Sequence, residues 1–280
     1  MPEQPEQFVR RSNAKINLAL RITGRRADGY HTISTLFQEI DFHDKIYFKE
    51  ANQFSFTTNT SELPTDSSNL CVAAYETIMS RRENKKPLKI HLEKNIPIGA
   101  GLGGGSSNAA TVIRFLNTYW NIGLSYQEMK DMGKELGADV PFFIKGGTQI
   151  GEGIGEILKP VRIEPNFKIL CIIPDFNIST IWAYKNFSLT NKKDKFNFDR
   201  LILGNKPNWK LFENQFEEIV TQSYPEISDM KRKLLGFGAE YAGLSGSGST
   251  VIGVFHKDAD LTKLEERIDY VTVITNPLIN

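Results

Sequence analysis

The stretch IPIGAGLGGGSSNAA, Ile96 to Ala110, puts five glycines within seven residues and follows them with two serines, an asparagine and helix-forming residues. A strand entering a helix through such a turn leaves backbone N–H groups pointing off the helix start, where the macrodipole adds partial positive charge. Phosphate is the natural guest. Glycine suits the task because a side chain would block backbone approach and because glycine adopts positive φ freely. The loop from Gly99 to Ser107 therefore reads as a phosphate grip, with Ser106, Ser107 and Asn108 adding side-chain contacts at the helix start. Asn108 also reads as a helix cap, and the two roles can coexist.

Three common phosphate loops do not fit. Gly99, Gly101 and Gly104 satisfy G-x-G-x-x-G, but the dinucleotide fingerprint also needs a further strand and an acid about twenty residues on. Here Trp120 to Glu128 begins another helix. A Walker loop ends in Gly-Lys-Ser/Thr, and no lysine directly follows these glycines. A protein kinase needs D-F-G, which PDFN at Pro174 only approaches.

Other residues could serve phosphoryl transfer, which asks for positioning and charge stabilisation more than covalent chemistry. In LGADVPFF, Asp139 follows a helix end in apolar company, a setting for a proton acceptor or for a carboxylate capping the next turn. The alternation of AKINLALRI puts Lys15 and Asn17 on one strand face, although a strand lysine is ordinarily only solvated. Ser245, Ser247 and Ser249 of SGSGS make either a mobile turn or a second phosphate-lining loop. GYH offers Tyr30 and His31, and STIWAY offers Thr180 and Tyr184: flat rings and polar edges that could meet a base, or a core tyrosine and a satisfied histidine. His31 has no second histidine or cysteine close by, which argues against a metal ligand.

The elements that must position these residues follow from periodicity. AKINLALRI, TISTLFQEIDF, KIYFKE, FSFTT and LKIHLEK read as strands, and DSSNLCVAAYETIMSRR as a helix with Ser and Asn caps. Ala109 to Trp120 reads as a helix, and a second one opens on the capping box SYQE and ends at Gly137. Beyond Pro160 come strand FKILCII, a helix from Ser179, helices near Leu211 to Val220 and Ile227 to Leu235, strand STVIGVF, helix DLTKLEERI and strand YVTVIT, with a polar surface excursion from Thr190. The chain thus reads as α+β, with a junction near Pro160.

Composition narrows the partners. Across 280 residues, 34 Lys and Arg nearly cancel 33 Asp and Glu, leaving no basic field for nucleic acid or anionic membrane. No apolar run is long enough to cross a bilayer, and MPEQPEQFVRRSN lacks the apolar centre of a signal peptide, so a cytoplasmic protein is expected. Cys71 and Cys171 then read as buried free thiols.

Three ordered motifs, SNAKINLALRI, the stretch from Pro97 to Ala110 and AGLSGSGSTVIGVF, resemble those of the superfamily that unites galactokinase, homoserine kinase, mevalonate kinase and phosphomevalonate kinase. Within it, AKINLALRITGRRADGYH and GADVPFF are most similar to kinases of the methylerythritol phosphate route to isoprenoids. The resemblance implies a two-domain small-molecule kinase fold. An N-terminal ribosomal-protein-S5-like β/α domain, 1–160, would bind ATP; a C-terminal ferredoxin-like α+β domain, 161–280, would complete an active site in the cleft between them. It implies ATP with Mg2+, and phosphorylation of the 2-hydroxyl of a cytidine-diphosphate-linked methylerythritol. Pro97, Gly99, Gly101, Leu102, Gly103, Gly104, Gly105, Ser106, Ser107 and Asn108 would hold the phosphates, with Asn69 near adenosine. Asp139 would be the base, with Lys15 against it. Asn17 and Thr180 would position the polyol, Tyr30 and Tyr184 would sandwich cytosine, His31 would read its edge, and Ser245, Gly246 and Ser247 would complete the site. No protein metal ligands and no obligate protein partner are implied. Another acceptor, such as a sugar, homoserine or mevalonate, or a non-catalytic sensor on the same scaffold, is the alternative.

Overall fold

A computed structural model describes residues 7–81, 86–188 and 194–279. The chain divides into two compact units, one of Met1–Ala14, His43–Ile98 and Gly103–Lys145, the other of Lys15–Phe42, Gly99–Leu102 and Gly146–Asn280. These units interleave along the sequence, because the first two strands each run through both. Strand β1 is Gln7–Arg25 and β2 is His31–Glu50, and they pair with each other.

The sequence reading splits β2 into two strands at His43 and Asp44, where charge interrupts the apolar pattern. The strand continues because Asp44 is satisfied inside the protein instead of turning outward: it is 0% exposed and accepts four hydrogen bonds.

In the first unit β3, Ser55–Thr58, is followed by helix α1, Leu70–Met79, and β4, Leu88–Glu93. β3 and β4 run parallel, so α1 is the crossover that parallel neighbours require. β4 also pairs antiparallel with the second half of β2, from Lys45 opposite Glu93 to Glu50 opposite Leu88. Its alternation buries Leu88, Ile90 and Leu92 and exposes Lys89 and His91, as period two demands. Helices α2, Gly104–Tyr119, α3, Tyr126–Leu136, and α4, Val140–Lys145, complete the unit, with α1, α3 and α4 packed on α2. The capping box at Ser125 and Glu128 forms as the sequence predicts, and Gly137 ends α3. α2 starts five residues earlier than helix propensity suggests, on glycines. Packing has overridden propensity there.

In the second unit the first half of β2 pairs with β5, Thr148–Gly153, which pairs with β6, Ile157–Pro160. Neither strand is legible in a glycine-rich polar run. Gly151 is needed because the Phe37 ring covers it: a Cβ there would lie 2.5 Å from the ring. Strand β7, Phe167–Ile173, then leads to α5, Thr180–Asn186, capped by Ser179. The polar run expected from Thr190 lies outside the described residues through 193. Beyond it the chain forms α6, Phe198–Leu201, and a hairpin of β8, Ile202–Leu203, and β9, Lys206–Pro207. Helices α7, Glu217–Ser223, and α8, Pro225–Gly236, precede β10, Tyr241–Leu244, β11, Val251–His256, the short α9, Thr262–Glu265, and β12, Val271–Thr275. An antiparallel sheet of order β10-β11-β7-β12 shares its core with α7 and α8 through Leu170, Ile172, Val251, Val220, Ile227 and Leu234. Both cysteines are free and buried, and burial pushes each thiol up to about 12. Among the described residues no helix is long and apolar enough to cross a membrane.

Candidate active site

Within the first unit, the helical end of the glycine loop rests on a buried polar knot. Asp44 accepts from Lys94 Nζ at 2.7 Å, from the backbone N–H groups of Asn95 and Ile96 at 2.7 Å each, and from Asn108 Nδ2 at 2.8 Å. Asn108 also donates to Ser12 Oγ at 2.9 Å, and Ser12 donates to Ser107 Oγ at 2.8 Å. One carboxylate thereby joins β2, the exit from β4 and the first turns of α2. Burial pulls the Lys94 ammonium down and the Asp44 charge pulls it back up, a balance that only an intact pair maintains.

This knot decides what the loop presents. Asn108 is not a helix cap; its amide points into the unit, and it and Ser107 are each 2% exposed. Gly103, with φ 68°, takes the cap position without any side-chain bond, so the N–H groups of Gly104, Gly105 and Ser106 have no intrahelical acceptor. A Cβ on Gly104 would lie 2.8 Å from Lys94 Nζ, whereas one on exposed Gly105 would meet only Leu70 at 3.6 Å. Gly104 is glycine for packing; Gly105 leaves the backbone bare. Asn69 does cap α1, accepting from Cys71 N at 2.9 Å while donating to the Pro64 carbonyl at 2.9 Å. Asp139 is half-buried in the turn between α3 and α4, and its carbonyl accepts from Phe142 N at 3.2 Å.

Within the second unit, residues 99–102 of the same loop are pinned to the serine-rich turn. Ser245 Oγ donates to the Gly101 carbonyl at 3.1 Å, and Lys15 N donates to the Leu102 carbonyl at 2.9 Å. Gly99 and Gly101 hold φ of 74° and 79°, and a Cβ on Gly101 would fall 2.5 Å from the Ser245 carbonyl oxygen. The turn is itself fixed from below by Asn214, whose Nδ2 donates to the carbonyls of Leu244 at 2.6 Å and Gly246 at 2.8 Å. The SGSGS segment is thus a built loop.

The shared strand face of Lys15 and Asn17 exists as the alternation predicts, and both side chains are buried rather than solvated. Lys15 Nζ donates to Asn17 Oδ1 at 2.8 Å and sits 5.2 Å over the Phe37 ring; Asn17 Nδ2 donates to Thr35 Oγ1 at 2.8 Å. Thr180 and Ser247 share a hydroxyl bond of 2.8 Å. His31 and Tyr184 do come together, but as a direct stack at 5.0 Å and 18°. That spacing belongs to two rings in contact and leaves no space for a third between them. Tyr184 meets Phe216 edge-on, and Tyr30 is 63% exposed. Burial, followed by the charge of Arg25, lowers the His31 pKa, so the ring is neutral at pH 7 with one donor and one acceptor nitrogen.

Asp44, Lys94, Ser12, Thr35 and Asn214 escaped the sequence reading. Asp44 left one trace, a carboxylate in the middle of an apolar strand pattern. Asn214 left none.

The GHMP kinases N terminal domain matches residues 69–147, and the GHMP kinases C terminal domain matches 192–271. The 4-diphosphocytidyl-2-C-methyl-D-erythritol kinase of Chloroherpeton thalassium is 40% identical over 277 residues, covering 94% of this chain and 95% of that one. That of Thermodesulfovibrio yellowstonii is 40% identical over 260 residues, with 89% and 90% covered. A crystal structure of 4-(cytidine 5'-diphospho)-2C-methyl-D-erythritol kinase superposes with a TM-score of 0.84 at 27% identity, over 96% of this chain and 99% of that one. Likeness at this level across nearly the whole length, together with the glycine loop and the pinned serine turn, places the chain in the 4-diphosphocytidyl-2-C-methyl-D-erythritol kinase family of the GHMP kinases.

Proposed function

We propose that the protein transfers the γ-phosphoryl group of ATP to the 2-hydroxyl of 4-diphosphocytidyl-2-C-methyl-D-erythritol, giving the 2-phosphate and ADP, in the cytoplasm and without an obligate protein partner. The observation that carries the reading is the start of α2: N–H groups with no intrahelical acceptor, reached through left-handed glycines and backed by a buried knot. Such a terminus favours phosphate oxygens through both hydrogen bonding and the helix dipole.

The roles follow from chemistry. Gly104, Gly105 and Ser106 donate to the nucleotide phosphates, while Ser107 and Asn108 hold that turn in place. Residues Pro97 to Gly103 shape the approach, and Asn69 marks the adenosine end. Asp139 takes the proton of the attacking hydroxyl as the O–P bond forms and ADP leaves; Lys15 steadies the charge that builds on the transferring group. Asn17, Thr180, Ser245, Gly246 and Ser247 orient the methylerythritol diphosphate. Cytosine stacks on the group formed by His31 and Tyr184, with His31 offering its neutral edge and Tyr30 covering from outside. Among the described residues no cluster of three or more His, Cys, Asp or Glu could hold a metal ion. A magnesium ion arriving with ATP would be held chiefly by phosphate oxygens and water and would supply charge neutralisation.

A coupled ADP-release assay tests the reading by comparing the cytidine-linked acceptor with free 2-C-methyl-D-erythritol 4-phosphate. Stacking of one base is worth about 1–3 kcal/mol, so the linked acceptor should show kcat/KM higher by about 5- to 150-fold. Equal values would remove the cytosine assignments, and ADP release indifferent to any acceptor would remove the activity.

A further inference from the structure

We infer that the first unit carries a second binding site, for a small aromatic phosphate, between the start of β1 and the outward stripe of α2. A cavity of about 370 Å³ lies there, walled by Arg10, Arg11 and Arg114 and floored by Phe8, Phe115 and Tyr119. That volume falls in the range of small-molecule sites, about 300–1,000 Å³. Among the described residues that line it there is no carboxylate.

The floor is preformed. Phe115, 5% exposed, stacks on Phe48 at 3.9 Å and lies nearly parallel to Tyr119 at 5.2 Å, and Phe8 closes the group at 5.6 and 5.1 Å from those two cavity rings. Tyr119 cannot swing away freely, because its hydroxyl donates to Glu50 at 2.6 Å. A flat ligand would meet rings already in place and would order little on binding.

The walls supply charge. The Arg10 guanidinium lies 5.1 Å over the Phe115 ring and donates to the Val9 carbonyl, and Arg114 donates to the Phe143 carbonyl at 3.4 Å. Neutral carbonyls take only part of what a five-donor fork offers. Neither side chain has an ion pair among the described residues, whereas Arg21, Arg26 and Arg232 each face a carboxylate. In a chain of net charge +1, this gathers guanidinium groups around one concave surface. Phosphate, which accepts Arg in bidentate geometry, matches the walls, and an aromatic body matches the floor. The site uses the Thr111 to Tyr119 half of α2, away from the Gly104 end assigned to ATP, and it stands whether or not the kinase reading does.

The test is fluorescence titration of the whole protein with 1-naphthyl phosphate, the nucleotide site being saturated with a non-hydrolysable ATP analogue. The wild type should bind the probe at least tenfold more tightly than it binds inorganic phosphate or 1-naphthol. Arg10→Gln and Arg114→Gln should each weaken it about tenfold with kinase turnover unchanged, and Arg114→Lys should fall between. Both arginines are exposed, so the variants retain the fold, which circular dichroism checks. No binding by the wild type, equal binding by both glutamine variants, or displacement by the ATP analogue would each overturn the proposal.

Discussion

Strand β2 carries His31 at one end and Asp44 toward the other, and the two surroundings differ in kind. Asp44 is fully buried, has four hydrogen-bond donors on it and holds three separate pieces of chain. His31 stands at a half-exposed end, held by a ring stack with Tyr184. A buried, fully satisfied ionic knot resists displacement, since moving any member strands a charge. A ring stack is worth about 0.5–1.5 kcal/mol and lets its members slide. Rigidity thus lies beneath the residues assigned to ATP phosphates, and adaptability beneath those assigned to the base.

Substitutions at the two ends of this contrast should separate them. The heaviest loss is expected from Asp139→Asn, which removes the base: kcat should fall by about 10²–10⁴ while ATP affinity stays within about twofold. Retention of wild-type kcat would take Asp139 out of the chemistry. Next comes Asp44→Asn, which leaves Lys94 desolvated without a counter-charge. Breaking a buried pair from one side typically costs about 3–5 kcal/mol, readable in urea unfolding, and a loss below about 1 kcal/mol would mean that the knot does not hold the loop.

The two glycines offer a finer contrast. Gly101→Ala should destabilise by about 1–3 kcal/mol, through its left-handed torsion and its collision with the Ser245 carbonyl. Gly105→Ala meets no obstacle and should be neutral or stabilising by about 0.5 kcal/mol, yet KM for ATP should rise because the methyl group fills the approach to the amides. An unchanged KM would deny that phosphates lie there.

The mildest change concerns pH. Because the folded-state pKa of His31 is lowered, the unfolded chain takes up its proton first as pH falls through 6.5. Any stability tied to neutral His31 is therefore complete above 6.5 and is lost as pH drops through the folded value. An NMR titration should place the His31 midpoint below 6.5, with KM for the acceptor flat down to that pH; a midpoint above 6.5 would show that neither burial nor Arg25 governs the ring.

Much of this was legible in residues that act locally. The capping box at Ser125 and Glu128, the Asn69 cap, the alternation in β4 and the face shared by Lys15 and Asn17 depend on neighbours in sequence, and all appear in the structure. The β5 and β6 strands were hidden because their glycines make sense only under the Phe37 ring. Asn214 supports the serine turn from a segment with no periodicity of its own, and its two carbonyl partners come thirty and thirty-two residues later.

Residue order alone was enough to establish that a bare, glycine-rich turn opens a helix, and to raise the expectation of an anion there, because backbone freedom and helix dipoles are local properties. Folding in three dimensions settled which glycines face solvent and which are pressed against a neighbour, that α2 begins at Gly104, and that Asn108 looks inward to Ser12 and Asp44. Those outcomes depend on burying a carboxylate among donors brought from the exit of β4 and from α2, and leaving any of those groups unpaired would lower the stability of the fold rather than that of the loop alone.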